Sequence, residues 1–366
     1  MSENDRSPIA EAFETLHVTK NEAWYLTEVR IKRLLELVGI VAPFFIVIML
    51  GYLAGRLGFF TLDSAKVFNN YLLYFALPAM FLSKLLEQDV LSGFDVRILL
   101  IFMGANTTII VMSWIIHGGL YRLPLGDTAA LGTTSTWGNS GYMGIPLALE
   151  LLGGPGIFVA FSLLAADIII ISIAGFALHE IDKDRTENGG GNALASMSRA
   201  GMKTLRSIGT NPFLWPFAIG FALSAVRPNW PPLLSSSIDF VFPALEMLSA
   251  TAFGVALFSI GVGMALRPIS NVKEAAPILL STGLLKLVAH PIVTALLAAF
   301  LFNLEPAVFA TCVILAATPT ATNAFIMATA YGKRSSEASA AILVSTSIAF
   351  FTLTALLSYF RADLGI

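Results

Sequence analysis

Apolar residues along this chain gather in long blocks separated by short polar joints. Ten blocks stand out, at 38–55, 65–86, 97–121, 128–152, 155–178, 206–226, 240–266, 275–302, 306–331 and 337–360. Most are long enough to cross a hydrocarbon core of about 30 Å as helices. A spanning segment must satisfy its own backbone hydrogen bonds, so helices are the expected form. The two-residue alternation of a transmembrane barrel is absent. Residues 1–36 form a polar N-terminal tail of mixed acids and bases. The tail lacks the charged start, apolar centre and small-residue cleavage site of a secretory signal. Trp24, Leu26, Val29 and Leu34 within it, with Leu37 just after it, would line one face of an interfacial helix. A frayed tail fits the same residues.

One polar joint is long. Residues 179–210 read as a loop carrying Lys183, Arg185, Arg199, Lys203 and Arg206 around the flexible run Gly189-Gly190-Gly191. It parts a first set of five blocks (37–178) from a second set of five (211–366). An odd number of spans per half forces the halves into opposite orientations, which is the arithmetic of an inverted repeat. Placing this loop in the cytoplasm puts twelve Lys and Arg of the joints inside, against four outside (Lys84, Arg97, Arg227 and Arg361). That bias follows the positive-inside rule. The tail opposes it with Arg6, Lys20, Arg30, Lys32 and Arg33.

The fourth and ninth blocks carry the chemistry. The fourth contains Thr133-Thr134-Ser135-Thr136-Trp137-Gly138-Asn139-Ser140-Gly141-Tyr142-Met143-Gly144-Ile145-Pro146, and the ninth contains Ala316-Ala317-Thr318-Pro319-Thr320-Ala321-Thr322-Asn323-Ala324. Glycine costs backbone entropy in a helix, and proline removes a donor and clashes with the preceding turn. Both blocks are therefore expected to break, and both are fourth in their halves. Paired breaks at corresponding places point to a transport site. A break frees N–H groups at one half-helix start, which favour an anion, and C=O groups at the other half-helix end, which favour a cation. Asn139 and Asn323 stand beside these groups as donors and acceptors. A proline kink relieved by Ser and Thr is the bland alternative.

Composition narrows the classes. The 366 residues hold 22 Lys+Arg and 24 Asp+Glu, 13% charged in all, with 56% hydrophobic residues and a mean hydropathy of +0.77. A soluble globular protein carries roughly 25% charge, so a water-soluble enzyme is excluded, as is disorder. A net charge of −2 gives no reason to expect a nucleic-acid partner. Cys312 is the single cysteine, and no His, Cys and carboxylate cluster has metal spacing. No Walker loop and no Gly-x-Ser-x-Gly elbow is present, so neither an ATP-driven pump nor an enzyme is expected.

A charge at mid-bilayer costs at least a few kcal/mol unless paired or hydrated, so each deep charge is a candidate site. Asp167 and Lys286 are the most central, in different halves. A direct Asp167–Lys286 pair would be structural, whereas Asp167 in a pocket would carry a proton or ligate a cation. Glu246 follows Pro243 in the seventh block, and His290 precedes Pro291 in the eighth; both are candidates for coupling. For His290, satisfied helix packing is the competing reading. The glycines Gly254, Gly261 and Gly263 suit close helix contact.

These residues also carry a family resemblance. The stretches LGYLAGRLGFFTLDSAKVFNNYLLYFALPAMFLS (50–83), GNSGYMGIPLALELLG (138–153), NPFLWPFAIGFALS (211–224), AFGVALFSIGVGMAL (252–266), KLVAHP (286–291) and TPTATNAFIMATAYG (318–332) resemble the auxin efflux carrier family, in order, over roughly 38–360. The resemblance implies an all-α polytopic membrane protein with ten transmembrane helices in a five-plus-five inverted repeat. It implies a scaffold and a transport domain, crossing of the interrupted fourth and ninth helices, organic-anion transport and a homodimer. That fold groups with bile-acid symporter-like and sodium/proton antiporter-like proteins. Asn69, ahead of Phe75-Ala76-Leu77-Pro78, matches the family's polar position in the second helix. Asn139 matches the asparagine before the break, and Pro146 and Pro319 match the crossover prolines. Asp167 falls where the plant carriers place a glutamine. Asn106 and Ile110 stand where those carriers have an acid and a base, a departure that weighs against auxin itself. The chain is more similar to the bacterial branch, whose suggested substrates include malate and other small organic acids.

The expectation is a secondary active transporter of a small organic anion in the plasma membrane, or inner membrane of a bacterium, working by alternating access. Asn69, Asn139, Asn323 and Asp167 would bind substrate at a crossover built on Gly138, Gly141, Gly144, Pro146 and Pro319. Asp167, Lys286, Glu246 and His290 are the coupling candidates. No cofactor is expected beyond a coupling proton or Na+, and the partners are membrane lipid and a second copy of the chain. A non-transporting receptor with a carrier fold is the alternative.

Overall fold

The structure, a computed structural model, describes residues 20–188, 193–227, 230–266 and 272–365. Among these residues the chain is almost wholly helical. Its β structure is an isolated antiparallel bridge between Gly138 and Thr320. The chain divides into two compact units, Met1–Pro43 and Phe44–Ile366. Helix α1, Lys20–Arg56, begins in the first unit and contains Pro43 at the division. Trp24, Leu26, Val29, Leu34 and Leu37 all fall within α1, and the Gly189-Gly190-Gly191 run lies outside the described residues.

The larger unit continues with α2 (Leu62–Tyr71) and α3 (Leu77–Leu86), joined by a π-helical turn at Leu72–Ala76. Thr61 starts α2 by accepting from the Ser64 amide while the Ser64 hydroxyl takes the Thr61 amide, a reciprocal cap. Next come α4 (Val96–Ser113), which runs on through a π turn to Leu120, then α5 (Leu125–Thr136), α6 (Ile145–Leu152), α7 (Gly156–Ala166) and α8 (Ser172–Asn188). The second half contributes α9 (Ala193–Gly209), α10 (Leu214–Val226), α11 (Pro232–Leu266), α12 (Val272–Leu284) and α13 (His290–Leu301). It ends with α14 (Pro306–Ala316), α15 (Thr322–Ala330) and α16 (Ser335–Tyr359).

Among the described residues six stretches are long and apolar enough to cross a membrane: Val38–Arg56, Val96–Leu120, Gly156–Glu187, Ser236–Leu266, Ala275–Leu301 and Ser335–Tyr359. Each coincides with one of the ten apolar blocks. The other four blocks are not among these stretches. Block 65–86 holds the π turn between α2 and α3, and block 206–226 is divided at Thr210–Phe213 between α9 and α10. Blocks 128–152 and 306–331 are each two short helices around a break.

Residues 179–210 correct the expectation of a loop. Helix α8 runs through them to Asn188, and α9 returns from Ala193 to Gly209. Low hydropathy suggested irregular chain, but Ala, Leu, Met, Arg and Lys are strong helix formers. Helix α9 also buries a stripe, Ser196, Ala200 and Thr204, one turn apart, while Leu194, Met197 and Leu205 stay exposed on the other face.

Packing sorts the helices of the larger unit into two sets. Helix α3 lies against α10 and α11, and α2 lies against α11. Helix α4 packs on α5, α7 and α13, and α8 packs on α5 and α9. The Phe44–Arg56 part of α1 meets α11 so closely that a Cβ on Gly261 would stand 1.9 Å from the Ile48 carbonyl oxygen. Glycine alone permits that contact, which Ile48, Leu257 and Ile260 seal. Gly254, grouped with Gly261 on sequence, faces nothing within 4 Å.

Candidate functional site

Helix α5 leaves helical geometry at Trp137 (ψ 107°), and the chain re-enters it through a π turn at Ser140–Gly144 before α6. Helix α14 ends at Ala316, and α15 starts after Ala321, which is extended at φ −76°, ψ 152°. The two extended pieces lie antiparallel. The Asn139 amide donates to the Pro319 carbonyl at 2.8 Å, and the Ala321 amide donates to the Trp137 carbonyl at 2.9 Å. Each break thereby satisfies backbone groups of the other, which an apolar surrounding demands. Thr320 fixes the pair from both sides: its hydroxyl donates to the Thr134 carbonyl at 3.1 Å, and its amide donates to Ser345 Oγ at 3.1 Å.

Gly138 sits in a tight place. A Cβ there would stand 3.0 Å from Thr318 Oγ1 and 3.1 Å from Lys286 Nζ. A Cβ on Gly141 would meet the Phe213 ring at 2.9 Å, whereas one on Gly144 would make only ordinary contacts. Pro319 supplies the bridging carbonyl. Pro146 instead occupies the first turn of α6, where its missing N–H costs nothing.

Asp167 and Lys286 flank this junction and are both completely buried. Asp167 Oδ1 accepts from Asn106 Nδ2 at 3.0 Å, and Oδ2 accepts from the Ser140 hydroxyl at 2.9 Å. Lys286 Nζ donates to the Ala316 carbonyl at 2.8 Å and lies 2.9 Å from His290 Nδ1. The two charges interact through space, but no ion pair within 4.0 Å joins them. Asp167 therefore attaches to the α6 side of the first break, and Lys286 caps the carbonyl end of α14 at the second. Each sits at the helix end whose partial charge it complements. Both also lie in π turns, Asp167–Ile171 and Leu285–Ala289, a distortion that frequently marks functional positions. Asn106 explains itself here: an acid at that position would put two carboxylates together.

A cavity of about 390 Å³ opens beside the junction. Asn69, Asn139 and Asn323 all line it, brought together from α2, the first break and α15. Gly138, Gly141, Ser140, Tyr142 and Thr322 add to the wall. Asp167 lies one layer behind, its carboxylate reaching the cavity wall through the Ser140 hydroxyl and the Gly138 backbone. Lys286 and His290 are likewise behind the wall. Glu246 is exposed on α11 and does not line the cavity. Among the described residues no cluster of three or more His, Cys, Asp and Glu is placed to hold a metal ion.

Ser207, Asn211 and Tyr331 also line the cavity, and sequence reasoning gave them no part. Ser207 and Asn211 lay in or beside a supposed loop. The Asn211-Pro212-Phe213 run after α9 was the available signal, since Asn211 Oδ1 accepts from the Phe213 amide at 2.9 Å and opens a third break toward the cavity. Among the described residues, none in the cavity wall is charged. The arrangement is a polar, uncharged chamber between discontinuous helices, with fixed charges held just outside it.

Comparison with known proteins agrees with this architecture. Residues 37–357 match the family model described as "Membrane transport protein". The chain is 30% identical to the "Putative malonate transporter" of Rhizobium meliloti (strain 1021), over 89% of this chain and 97% of that one. It is 23% identical to the "Uncharacterized transporter YfdV" of Escherichia coli (strain K12), over 84% of this chain and 92% of that one. The chain is an integral membrane protein that belongs to the auxin efflux carrier family of membrane transport proteins.

Proposed function

We propose that this protein is a secondary active transporter of a small dicarboxylate, malonate-like or malate-like, moving across the plasma membrane or inner membrane by alternating access. The antiparallel pairing of the Asn139 and Pro319 breaks beside a chamber lined by Asn69, Asn139 and Asn323 carries this reading. Two short extended pieces paired between four half-helices support a ten-helix, five-plus-five inverted repeat with crossed fourth and ninth helices. The anion would take its hydrogen bonds from the three asparagine amides and from backbone N–H groups at the starts of the Ser140–Gly144 π turn and of α15. Malonate enters as substrate from the name of the Rhizobium meliloti relative.

The set of α2, α3, α10 and α11 would be the scaffold, joined by the later part of α1. The set around α4, α5 and α13 would move against it as the transport body. Asp167 would couple substrate movement to a proton or Na+ through Ser140, which touches both the carboxylate and the chamber. A homodimer through the scaffold accompanies the reading. Reconstitution into proteoliposomes with labelled malonate tests it, with malate and a monocarboxylate alongside. Uptake above that of Asn139→Ala protein is expected. A wild-type protein that moves none of these anions in either direction would refute the proposal.

A further inference from the structure

Lys203 is the cation that meets the chamber wall from outside. Its Nζ lies 3.3 Å from the Tyr331 hydroxyl and 5.1 Å from the centre of the Tyr331 ring. Tyr331 lines the chamber. On its other side Lys203 borders a second cavity, of about 550 Å³, between α8 and α9. That recess is lined by Lys183, Arg199, Lys203 and Arg206 against Glu180, Asp184 and Glu187. Helix α9 separates the two cavities: Arg206 faces the recess and Ser207 faces the chamber.

Lys203 Nζ is held by Glu180 Oε1 at 2.5 Å. Glu180 is only 2% exposed, yet it has a second cation, since Arg199 Nε stands 3.3 Å from its other oxygen. Lys203 can therefore leave Glu180 without stranding a buried carboxylate, which is the usual cost of breaking such a pair. Lys286, the other cation near the chamber, has no such freedom, because it is fully buried and tied to Ala316 and His290.

We propose that the recess is the cytoplasmic vestibule of the chamber and that Lys203 is its anion-selecting residue. An incoming carboxylate replaces Glu180 on Lys203 Nζ, Glu180 remains on Arg199, and Tyr331 passes the anion into the uncharged chamber. The exchange makes and breaks hydrogen bonds only. With four cations against three carboxylates the recess is net positive, which favours an anion over a cation of the same size. The proposal rests on the anion-transport reading and adds to it the residue that admits the anion.

Ser207→Cys protein in nanodiscs tests this without any substrate, because the native Cys312 is buried. Anionic and cationic methanethiosulfonate reagents of similar size are compared for modification rate. The anionic reagent is expected to react measurably faster than the cationic one. Lys203→Gln should abolish the preference, Lys203→Arg should keep it, and Glu180→Gln, which leaves Lys203 without its carboxylate, should increase it. Should Lys203→Gln fail to fold, the Glu180→Gln arm reads the same relationship with opposite sign. A charge-blind rate in the parent, or a preference unchanged by Lys203→Gln and by Glu180→Gln, overturns the role of Lys203. Charge-selective labelling in a protein that transports no carboxylate would instead refute the transport reading and leave the vestibule standing.

Discussion

The Asn139 amide and the Pro319 carbonyl are joined by a 2.8 Å hydrogen bond between two helix breaks from opposite halves of the chain. The Asn139 N–H has no helical acceptor there and the Pro319 carbonyl no helical donor, so each break supplies what the other lacks. The junction is stable because it is mutual, and it leaves the Asn139 side chain free to face the chamber.

Replacing Asn139 by Ala removes only the side chain and keeps the backbone bridge. Transport is expected to fall at least about tenfold, the equivalent of one or two hydrogen bonds to an anion. Thermal unfolding of the variant should stay close to that of the parent. Unchanged uptake in proteoliposomes would remove the side chain from the site.

Gly138→Ala tests the junction itself. The added Cβ would meet Thr318 Oγ1 at 3.0 Å and Lys286 Nζ at 3.1 Å, and overpacking of this kind costs about 1–3 kcal/mol. A lowered unfolding temperature together with lost transport is expected. Gly254→Ala, in open space on α11, is the control and should stabilise slightly or do nothing.

Asp167→Asn preserves an acceptor for the Ser140 hydroxyl but cannot exchange a proton. The pH dependence of uptake should flatten, while protein yield and dispersity hold. An identical pH profile in the variant would take Asp167 out of coupling.

Lys286→Met leaves the Ala316 carbonyl without its donor and Asp167 without the nearby positive charge. Destabilisation of about 2–4 kcal/mol is expected. Adding Asp167→Asn should recover part of it, because the two charges interact. A double-mutant cycle measures that recovery, and strict additivity, within about 0.5 kcal/mol, would show that the charges are independent.

Leu194→Cys reports which side α9 occupies, since Leu194 is 82% exposed. Labelling by a membrane-impermeant maleimide is expected from the cytoplasmic face only. Labelling only from the opposite face would invert the topology and place the recess outside the cell.

Sequence alone determined the class of molecule. Apolar blocks of spanning length admit only helices in lipid, so the periodicity and composition settled an all-helical membrane protein. The quoted stretches settled the family. The positions of the two breaks were also legible, because Gly138, Gly141 and Pro319 carry their conformational preferences locally. Helix α9 was missed for a local reason too: hydropathy separates lipid from water but does not separate a polar helix from a loop.

Tertiary structure decided what no local property encodes. Asn69 and Asn323 are far apart in the chain, and only packing brings them to the wall that holds Asn139. Asp167 and Lys286 looked alike as deep charges, yet each is bound to a different half-helix end and they form no direct pair. Glu246, by contrast, is exposed on α11 and lines no part of the cavity. Lys203 gained its place from α9 folding back along α8. The reason is common to the buried groups: a charge or amide in an apolar surrounding takes whichever partners the fold brings within about 3 Å, and most of those partners come from other helices.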